Sequence, residues 1–147
     1  MYDSSVVPAK TSMYGSPNAE NKPYRITSKS IEKNDSSGKI IEFPLLVTKF
    51  LGKKIPAAGG FYLRTLPTKI TKKAITNYEK LGIPATFYIH SWELTPEHIP
   101  KIQLPFKDNF TTFHNIDKAF DRMDDILNEF EFTSFSNYIN NEMNLVN

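Results

Sequence analysis

The stretch 83–93, with the sequence Ile-Pro-Ala-Thr-Phe-Tyr-Ile-His-Ser-Trp-Glu, most constrains what this chain can fold into. Residues 85–89 are rich in aromatic and branched side chains, which is typical of a strand covered on both faces. His90, Trp92 and Glu93 follow at once. In α/β sheets and barrels, functional groups gather where strands reach their C-terminal ends. The stretch therefore predicts a buried strand that ends in an imidazole, an indole and a carboxylate. In the alternative interpretation, His90 only caps the strand by hydrogen bonding.

The composition limits the classes of partner. The chain of 147 residues, 39% of them hydrophobic, is long enough for one domain with a sizeable core. A net charge of +2 is too small to favour binding to nucleic acid or to an anionic membrane surface, and the paired lysines at 53–54 and 72–73 are typical of solvated surface. Cysteine is absent, so there is no disulfide and no thiolate site.

Targeting and membrane segments are not apparent in the sequence. No apolar run approaches the roughly 20 residues that span a bilayer, so we expect no membrane span. Residues 2–5 lack the basic and apolar pattern of a secretory signal, which leaves the location unknown and favours the cytoplasm.

Turn residues divide the first half of the chain. Polar runs at 14–18, 20–23 and 33–38 predict loops. Residues 39–47 predict a strand that Pro44 closes or kinks. The paired glycines Gly59 and Gly60 permit a positive φ or a close backbone approach shortly before Arg64.

Two helices are predicted. The first has Pro67 in its first turn and ends at Gly82. Its apolar residues recur at steps of about four: Leu66, Ile70, Ala74, Tyr78 and Leu81. The second begins after Asn115 as N-cap, with Asp117 in its first turn. Its apolar residues have a period near 3.6: Ile116, Ala119, Phe120, Met123, Ile126, Leu127 and Phe130.

These elements predict an α/β fold. A helix, Gly82 and a strand in succession are typical of part of a βαβ unit. About three strands and two helices are too few to close a barrel, so we expect the chain to be the end of something larger. The acidic residues of the second helix, Asp121, Asp124 and Asp125, are interpreted as solvated surface rather than as a metal site.

A series of short pieces then points to a family. They are 2–5 (YDSS), 14–17 (YGSP), 24–26 (YRI), 42–44 (EFP), 58–64 (AGGFYLR), 87–93 (FYIHSWE) and 104–106 (LPF), with a helix ending near Phe130. In this order they resemble the C-terminal half of polysaccharide deacetylases of the nodulation-type carbohydrate esterase family, in particular the group associated with exopolysaccharide loci. The resemblance covers nearly the whole chain, although the family usually has proline where this chain has Ser91.

The resemblance implies a fold and a cofactor. Residues 1–94 would be the C-terminal part of a distorted (β/α) deacetylase barrel that is incomplete in this chain. Residues 95–147 would be a family-specific extension with a terminal helix. The family's catalytic base aspartate, and the aspartate and two histidines that hold its divalent metal, lie upstream of the region matching Tyr2. We therefore expect no cofactor in this chain, and a divalent metal, zinc, only in the complete fold.

The resemblance also assigns candidate site residues. His90 occupies the position of the histidine that protonates the leaving amine. An imidazole suits this role because its ordinary pKa of about 6.5 lets it carry and release a proton near neutral pH. Asp3, Tyr62, Arg64 and Trp92 are the substrate-binding candidates.

Three of the substrate-binding candidates have a plainer alternative. Trp92 would shield the acetyl methyl group or pack in the core, and Asp3 would orient a hydroxyl or stabilise a turn. Arg64 would meet a saccharide oxygen or Glu93, and an ordinary surface ion pair is the default for such a residue.

The two other histidines have structural interpretations. His98 lies in a loop and is expected to be exposed, and His114 is expected to serve the entry to the second helix. Neither forms a metal site with His90, because a catalytic metal needs about three converging protein ligands.

The expected function is hydrolysis of N-acetyl groups on an amino sugar within an acetylated polysaccharide or oligosaccharide. The chain alone is expected to be inactive and to require the metal-binding half, as a separately encoded chain or in an intact parent gene. A non-catalytic saccharide-binding or assembly module, with a groove lined by Tyr62, Tyr88 and Trp92, is the alternative. A truncated reading frame without a stable fold is the third hypothesis.

Overall fold

A computed structural model of the protein describes residues 1–11, 14–100 and 102–143, which form a mixed α/β structure. Its main sheet has three strands, β1 (Tyr2–Asp3), β2 (Tyr24–Ile26) and β3 (Ile40–Glu42), in the order β1-β3-β2. The central strand β3 runs parallel to β1 and antiparallel to β2. Strand β3 has buried side chains and holds β1 and β2 on either side. This pairing fixes the N-terminal loops against the core.

A second sheet is the antiparallel hairpin of β4 (Val47–Phe50) and β5 (Lys53–Pro56). The two residues between the strands, Leu51 and Gly52, have φ angles of 47° and 76°. Two consecutive positive φ angles match the twist of a two-residue hairpin. The predicted strand 39–47 is therefore divided: β3 ends at Glu42, just before Pro44, and β4 begins at Val47.

The first predicted helix is confirmed. After a short helix α1 (Gly60–Thr65), helix α2 (Thr68–Lys80) follows Pro67, and Gly82 has a left-handed φ of 66°. Helix α2 buries the residues Thr71, Ala74, Ile75 and Tyr78. Leu81 lies beyond the last turn and is 71% exposed, so the predicted apolar stripe is wrong at that residue.

The C-terminal part is helical. It contains α3 (Ser91–Leu94), α4 (Phe106–Phe113), α5 (Ala119–Leu127) and α6 (Phe135–Tyr138). Short 3-10 helices, Pro96–His98 and Ile116–Lys118, precede α4 and α5, and a π-helical turn, Ile139–Met143, follows α6. None of the helices in the described ranges has both the length and the apolarity to cross a bilayer.

The second predicted helix is correct in place and wrong in detail. It starts after Asn115, but as a 3-10 turn, and Asn115 has a left-handed φ of 51° without a side-chain capping bond. Only Ala119 and Ile126 are fully buried, whereas Phe120 and Leu127 are 58% and 49% exposed. The apolar stripe through which this helix contacts the core is therefore narrower than predicted.

The prediction of a buried strand at 85–89 is wrong. The segment has a single parallel bridge, between Leu45 and Thr86. Phe87 and Ile89 pack against the core, while Tyr88 and His90 are exposed on the other side. The apolar and aromatic composition therefore reflects one covered face, and the alternation of side chains turns the histidine outward.

One hydrophobic cluster joins the two parts of the chain. It is formed by residues from the N-terminal loop, the hairpin, α1, α2 and α5: Val7, Ala9, Leu45, Leu46, Val47, Ala57, Ala58, Leu63, Ala74, Ile75, Tyr78 and Ile126. The division into 1–94 and 95–147 remains a prediction, although Ile126 belongs to the same core as the first part. The described residues form no barrel, so only the α/β class is established.

Candidate functional site

An open cleft of about 690 Å³ lies where the N-terminal loops meet α1 and the segment 88–93. We call it the His90 cleft. Its lining is rich in aromatic and hydroxyl groups, among them Ser4, Ser5, Tyr14, Tyr62, Tyr88, His90 and Trp92. His90 is exposed at the wall of this cleft, so its ring can meet a ligand from solvent.

Two aromatic neighbours orient the ring of His90. The Tyr88 hydroxyl lies 2.9 Å from Nε2 of His90, within hydrogen-bonding distance. The indole of Trp92 stacks on the imidazole, with ring centroids 5.6 Å apart and planes inclined by 22°. The ring of Tyr88 stands edge-on to that of His90, with planes inclined by 73°. Residues 88, 90 and 92 thus group three rings at this wall of the cleft.

Glu93 holds the same segment from its buried side. Its Oε2 accepts a hydrogen bond of 3.0 Å from the backbone N–H of His90, as the third residue of a helix does in a capping box. Its Oε1 accepts from Nε and Nη2 of Arg64, at 3.2 and 3.0 Å. Both side chains are buried, so the predicted pairing of Arg64 with Glu93 is confirmed and the default of a surface ion pair is wrong.

The paired glycines make this arrangement possible. Gly59 has a φ of 101°, a conformation that residues with a side chain rarely adopt. A Cβ atom on Gly60 would lie 1.8 Å from Oε1 of Glu93. The prediction of a positive φ or a close approach is therefore confirmed at both positions, and the group that approaches Gly60 is the carboxylate of Glu93.

Arg64 also fastens the C-terminal part behind the cleft. Its Nη1 donates to the carbonyl of His114 at 2.7 Å and its Nη2 to that of Thr111 at 3.2 Å. Four of its donor contacts thus go to protein groups, and it is 1% exposed. Arg64 lines the cleft, but it acts on His90 through Glu93.

Arg122 is a residue that sequence reasoning missed. Its Nη1 lies within hydrogen-bonding distance of the carbonyls of Leu63, Arg64 and Leu66, at 2.8, 2.6 and 3.0 Å. A cation at the C-terminus of a helix is stabilised by the last carbonyls, which have no partner within the helix itself. The only signal in the sequence was a basic residue on the polar side of an acidic helix, which does not identify a partner 56 residues away.

The other substrate-binding candidates differ in position. Tyr62 lines the cleft, and burial, followed by the neighbouring Tyr14, raises the pKa of its hydroxyl above the ordinary value of 10.0. Asp3 is not among the residues that line the cleft. Its carboxylate accepts from the Ser4 N–H at 2.9 Å and the Ser5 hydroxyl at 2.8 Å, which is the contact expected of a turn.

Comparison with protein families gives one match. The model of the family described as a domain of unknown function, DUF3473, matches residues 4–140. The chain belongs to the DUF3473 family. Neither the curated proteins nor the solved structures contain a significant match to it.

A second missed residue of this DUF3473 chain is Glu42, at the end of β3. Its Oε1 accepts from the N–H groups of Ser5 and Val6, at 3.1 and 2.9 Å, and so shapes the loop that lines the cleft. Its Oε2 is buried without a hydrogen-bond partner among the described residues. Burial raises the pKa of Glu42, and the charge of Asp3 adds to the effect, against two lowering backbone hydrogen bonds.

The remaining histidines of the DUF3473 chain lie apart from His90. The side chain of His98 is 79% exposed, as predicted. His114 stacks on Phe110 with a centroid distance of 4.4 Å, and its Nε2 lies 2.9 Å from Nδ2 of Asn115. In the described ranges, no three histidine, aspartate or glutamate side chains converge as metal ligands. These residues do not fit a divalent metal site, and we assign no reaction step to one here.

Proposed function

We propose that this domain supplies one wall of the catalytic cleft of a carbohydrate N-deacetylase. The observation that carries the proposal is the exposed imidazole of His90, held by Tyr88 and Trp92 in an open, aromatic-lined cleft. The ordered resemblance to the C-terminal half of polysaccharide deacetylases supports the same function. In this proposal the described α/β fold is the C-terminal portion of an incomplete deacetylase barrel.

His90 acts as the general acid in this proposal. Water adds to the acetamide carbonyl, the carbon–nitrogen bond breaks, and the leaving amine takes a proton from the imidazolium while acetate is released. Tyr88 and Trp92 set the direction of the ring, and the aromatic surface of Trp92 and Tyr62 receives the sugar. Arg64 and Glu93 hold the backbone of His90 in place from the interior.

Another segment must complete the reaction. By resemblance, a base aspartate and a divalent metal, zinc, would activate the water and stabilise the oxyanion. In this proposal a further polypeptide segment, in the same protein or a separate one, would hold both. An acetylated polysaccharide or oligosaccharide is the proposed substrate.

Acetate release from N-acetylglucosamine oligomers tests this function. The assay uses the domain together with the metal-binding segment, and compares His90→Gln with His98→Gln, a matched change at an exposed histidine outside the cleft. Loss of a general acid lowers turnover by about 10²–10⁴-fold, so we expect this loss for His90→Gln only. Undiminished release by His90→Gln would overturn the role of this histidine.

A saccharide-binding module without catalysis is the second candidate. The aromatic lining of the cleft, with Tyr62, Tyr88 and Trp92, favours it. Trp92 is the only tryptophan and stacks on His90, so its fluorescence reports a ligand in this cleft alone. Oligosaccharide binding by this chain, with no acetate release in the completed protein, would favour the second candidate.

A further inference from the structure

A second cavity, of about 560 Å³, lies between the β4–β5 hairpin and α2. Four lysines line it, Lys49 and Lys54 from the hairpin and Lys69 and Lys73 from α2. We call it the lysine pocket. No aspartate or glutamate lines it, and none of the four ammonium groups forms an ion pair within the described ranges. The net charge of the whole chain, only +2, does not reveal this local cluster of cations.

Repulsion between these lysines destabilises the folded chain at two places. Lys49 and Lys54 are directly opposite each other in the hairpin, and like charges in that relation are destabilising. Lys69 and Lys73 are four residues apart on one helix, which is also unfavourable for like charges. Burial, followed by the charges of Lys33 and Lys49, lowers the pKa of Lys54. By contrast, Lys72 of the same helix is paired with Asp125 and Glu129.

Apart from these cations, the pocket has an apolar floor and neutral polar groups. Val47, Ile70 and Ala74 form part of the floor, and the ring of Phe50 is 43% exposed at the rim. The neutral polar residues Asn21, Thr48 and Asn77 also line it, and Oδ1 of Asn21 accepts a hydrogen bond of 3.1 Å from Nζ of Lys54. A volume of this size is within the range of small-ligand pockets, which combine apolar walls with a few polar groups.

We propose that the lysine pocket binds an acidic carbohydrate, a chain of sugars that carry carboxylates. The carboxylates neutralise the lysines, the amide and hydroxyl side chains bind sugar hydroxyls, and the apolar floor and Phe50 receive the C–H face of a ring. That the ligand is an anion follows from the lysines alone. That the ligand is a carbohydrate rests on the proposed function. Polynucleotides are disfavoured by the small net charge.

Calorimetric titration of the whole chain with oligogalacturonate tests the proposal. We expect the double change Lys69→Gln/Lys73→Gln to weaken binding at least about tenfold, which corresponds to about 1.4 kcal/mol of binding free energy. The control is Lys53→Gln/Lys80→Gln, which removes the same amount of charge outside the pocket, one lysine from β5 and one from α2. Binding should be unchanged in this control and in His90→Gln, so the result is independent of the deacetylase proposal.

The alternatives give distinct results. Equal weakening in the control pair, or unchanged oligogalacturonate binding by Lys69→Gln/Lys73→Gln, would overturn the site. Tighter binding of an oligonucleotide of the same charge would overturn the carbohydrate class. The thermal midpoint of Lys69→Gln/Lys73→Gln should be at least that of the unmodified chain, because like-charge repulsion is removed. This measurement separates lost binding from lost folding.

Discussion

Glu93 connects the exposed imidazole of His90 to the interior of the molecule through its two oxygens. One oxygen holds the backbone of His90, and the other accepts twice from Arg64, whose remaining contacts reach the carbonyls of Thr111 and His114. A buried pair of this kind is costly to desolvate and is favourable only while both partners and their hydrogen bonds are present. Its value here is to fix the place of one functional side chain.

A double-mutant cycle tests the coupling of this pair. We expect Arg64→Leu and Glu93→Leu each to lower the free energy of unfolding by about 3–5 kcal/mol, because each leaves an unpaired buried charge. The double variant should lose less than the sum of the two. Urea unfolding provides the three values. Lys72→Leu, at an ion pair closer to solvent, should cost far less. Strict additivity of the two changes would contradict the coupling.

Glu42 should make stability depend on pH. Its folded pKa is raised above the ordinary value of 4.5 by burial, so the folded chain holds this proton more tightly than the unfolded chain. The contribution is complete below pH 4.5 and is lost as the pH rises through the folded pKa. Glu42→Gln keeps an acceptor for Ser5 and Val6 and removes the titration. Its stability relative to the unmodified chain should therefore rise with pH over this window.

Asp35 is the matched control of opposite sign. Hydrogen bonds from Ser37, then Thr27, lower its pKa, so its contribution is present above the unfolded pKa and is lost as the pH falls. The relative stability of Asp35→Asn should thus improve toward acid, whereas that of Glu42→Gln should improve toward neutral pH. Unfolding curves across the acid range distinguish the two. A flat relative profile for Glu42→Gln would show that Glu42 titrates normally, and a profile parallel to that of Asp35→Asn would contradict the raised pKa.

At the scale of elements, the sequence predicted what local chemistry determines. Pro67 and Gly82 fix the ends of α2 through backbone conformations that need no partner. The stop at Gly82 is confirmed, whereas Pro67 is the N-cap before Thr68 rather than a residue of the first turn. The segment 85–89 and Asn115 were misjudged because their state depends on distant groups: a single bridge to Leu45 in one case, and the carbonyl of Arg64 in the other. The order of residues 88–93 pointed to the cleft, but not to the partner of Glu93.

The start of α1 depends on the absence of a side chain at Gly60. Gly60→Ala should lower the free energy of unfolding by about 1–3 kcal/mol, because the added methyl overlaps the carboxylate of Glu93. Gly82→Ala is the control: its φ of 66° makes it unfavourable by about 1–2 kcal/mol, but its Cβ would meet open space. Chemical unfolding measures the cost. Only Gly60→Ala should also shift the fluorescence of Trp92, and an unchanged spectrum would contradict this packing.

At the scale of the whole molecule, the parts before and after residue 94 are held together by two kinds of contact. Ile126 of α5 lies in the same apolar cluster as Val7 and Leu45. Arg122 and Arg64 add polar bonds across the same boundary. The boundary at residue 94 comes from the family resemblance. Because neither the core nor the cleft is complete in one part, we do not expect the two parts to fold independently.

Ile126→Ala tests whether the chain unfolds as one unit. Ile126 is fully buried, so its truncation should cost about 2–5 kcal/mol, whereas Leu127→Ala, at a residue 49% exposed on the same helix, should cost far less. Trp92 fluorescence reports the first part and far-ultraviolet circular dichroism reports the helices of both. If one core joins them, Ile126→Ala lowers both transitions by the same amount, and the two curves stay superimposed. A fluorescence transition that keeps its original midpoint, while the helical signal is lost earlier, would mean that residues 1–94 fold without the C-terminal helices.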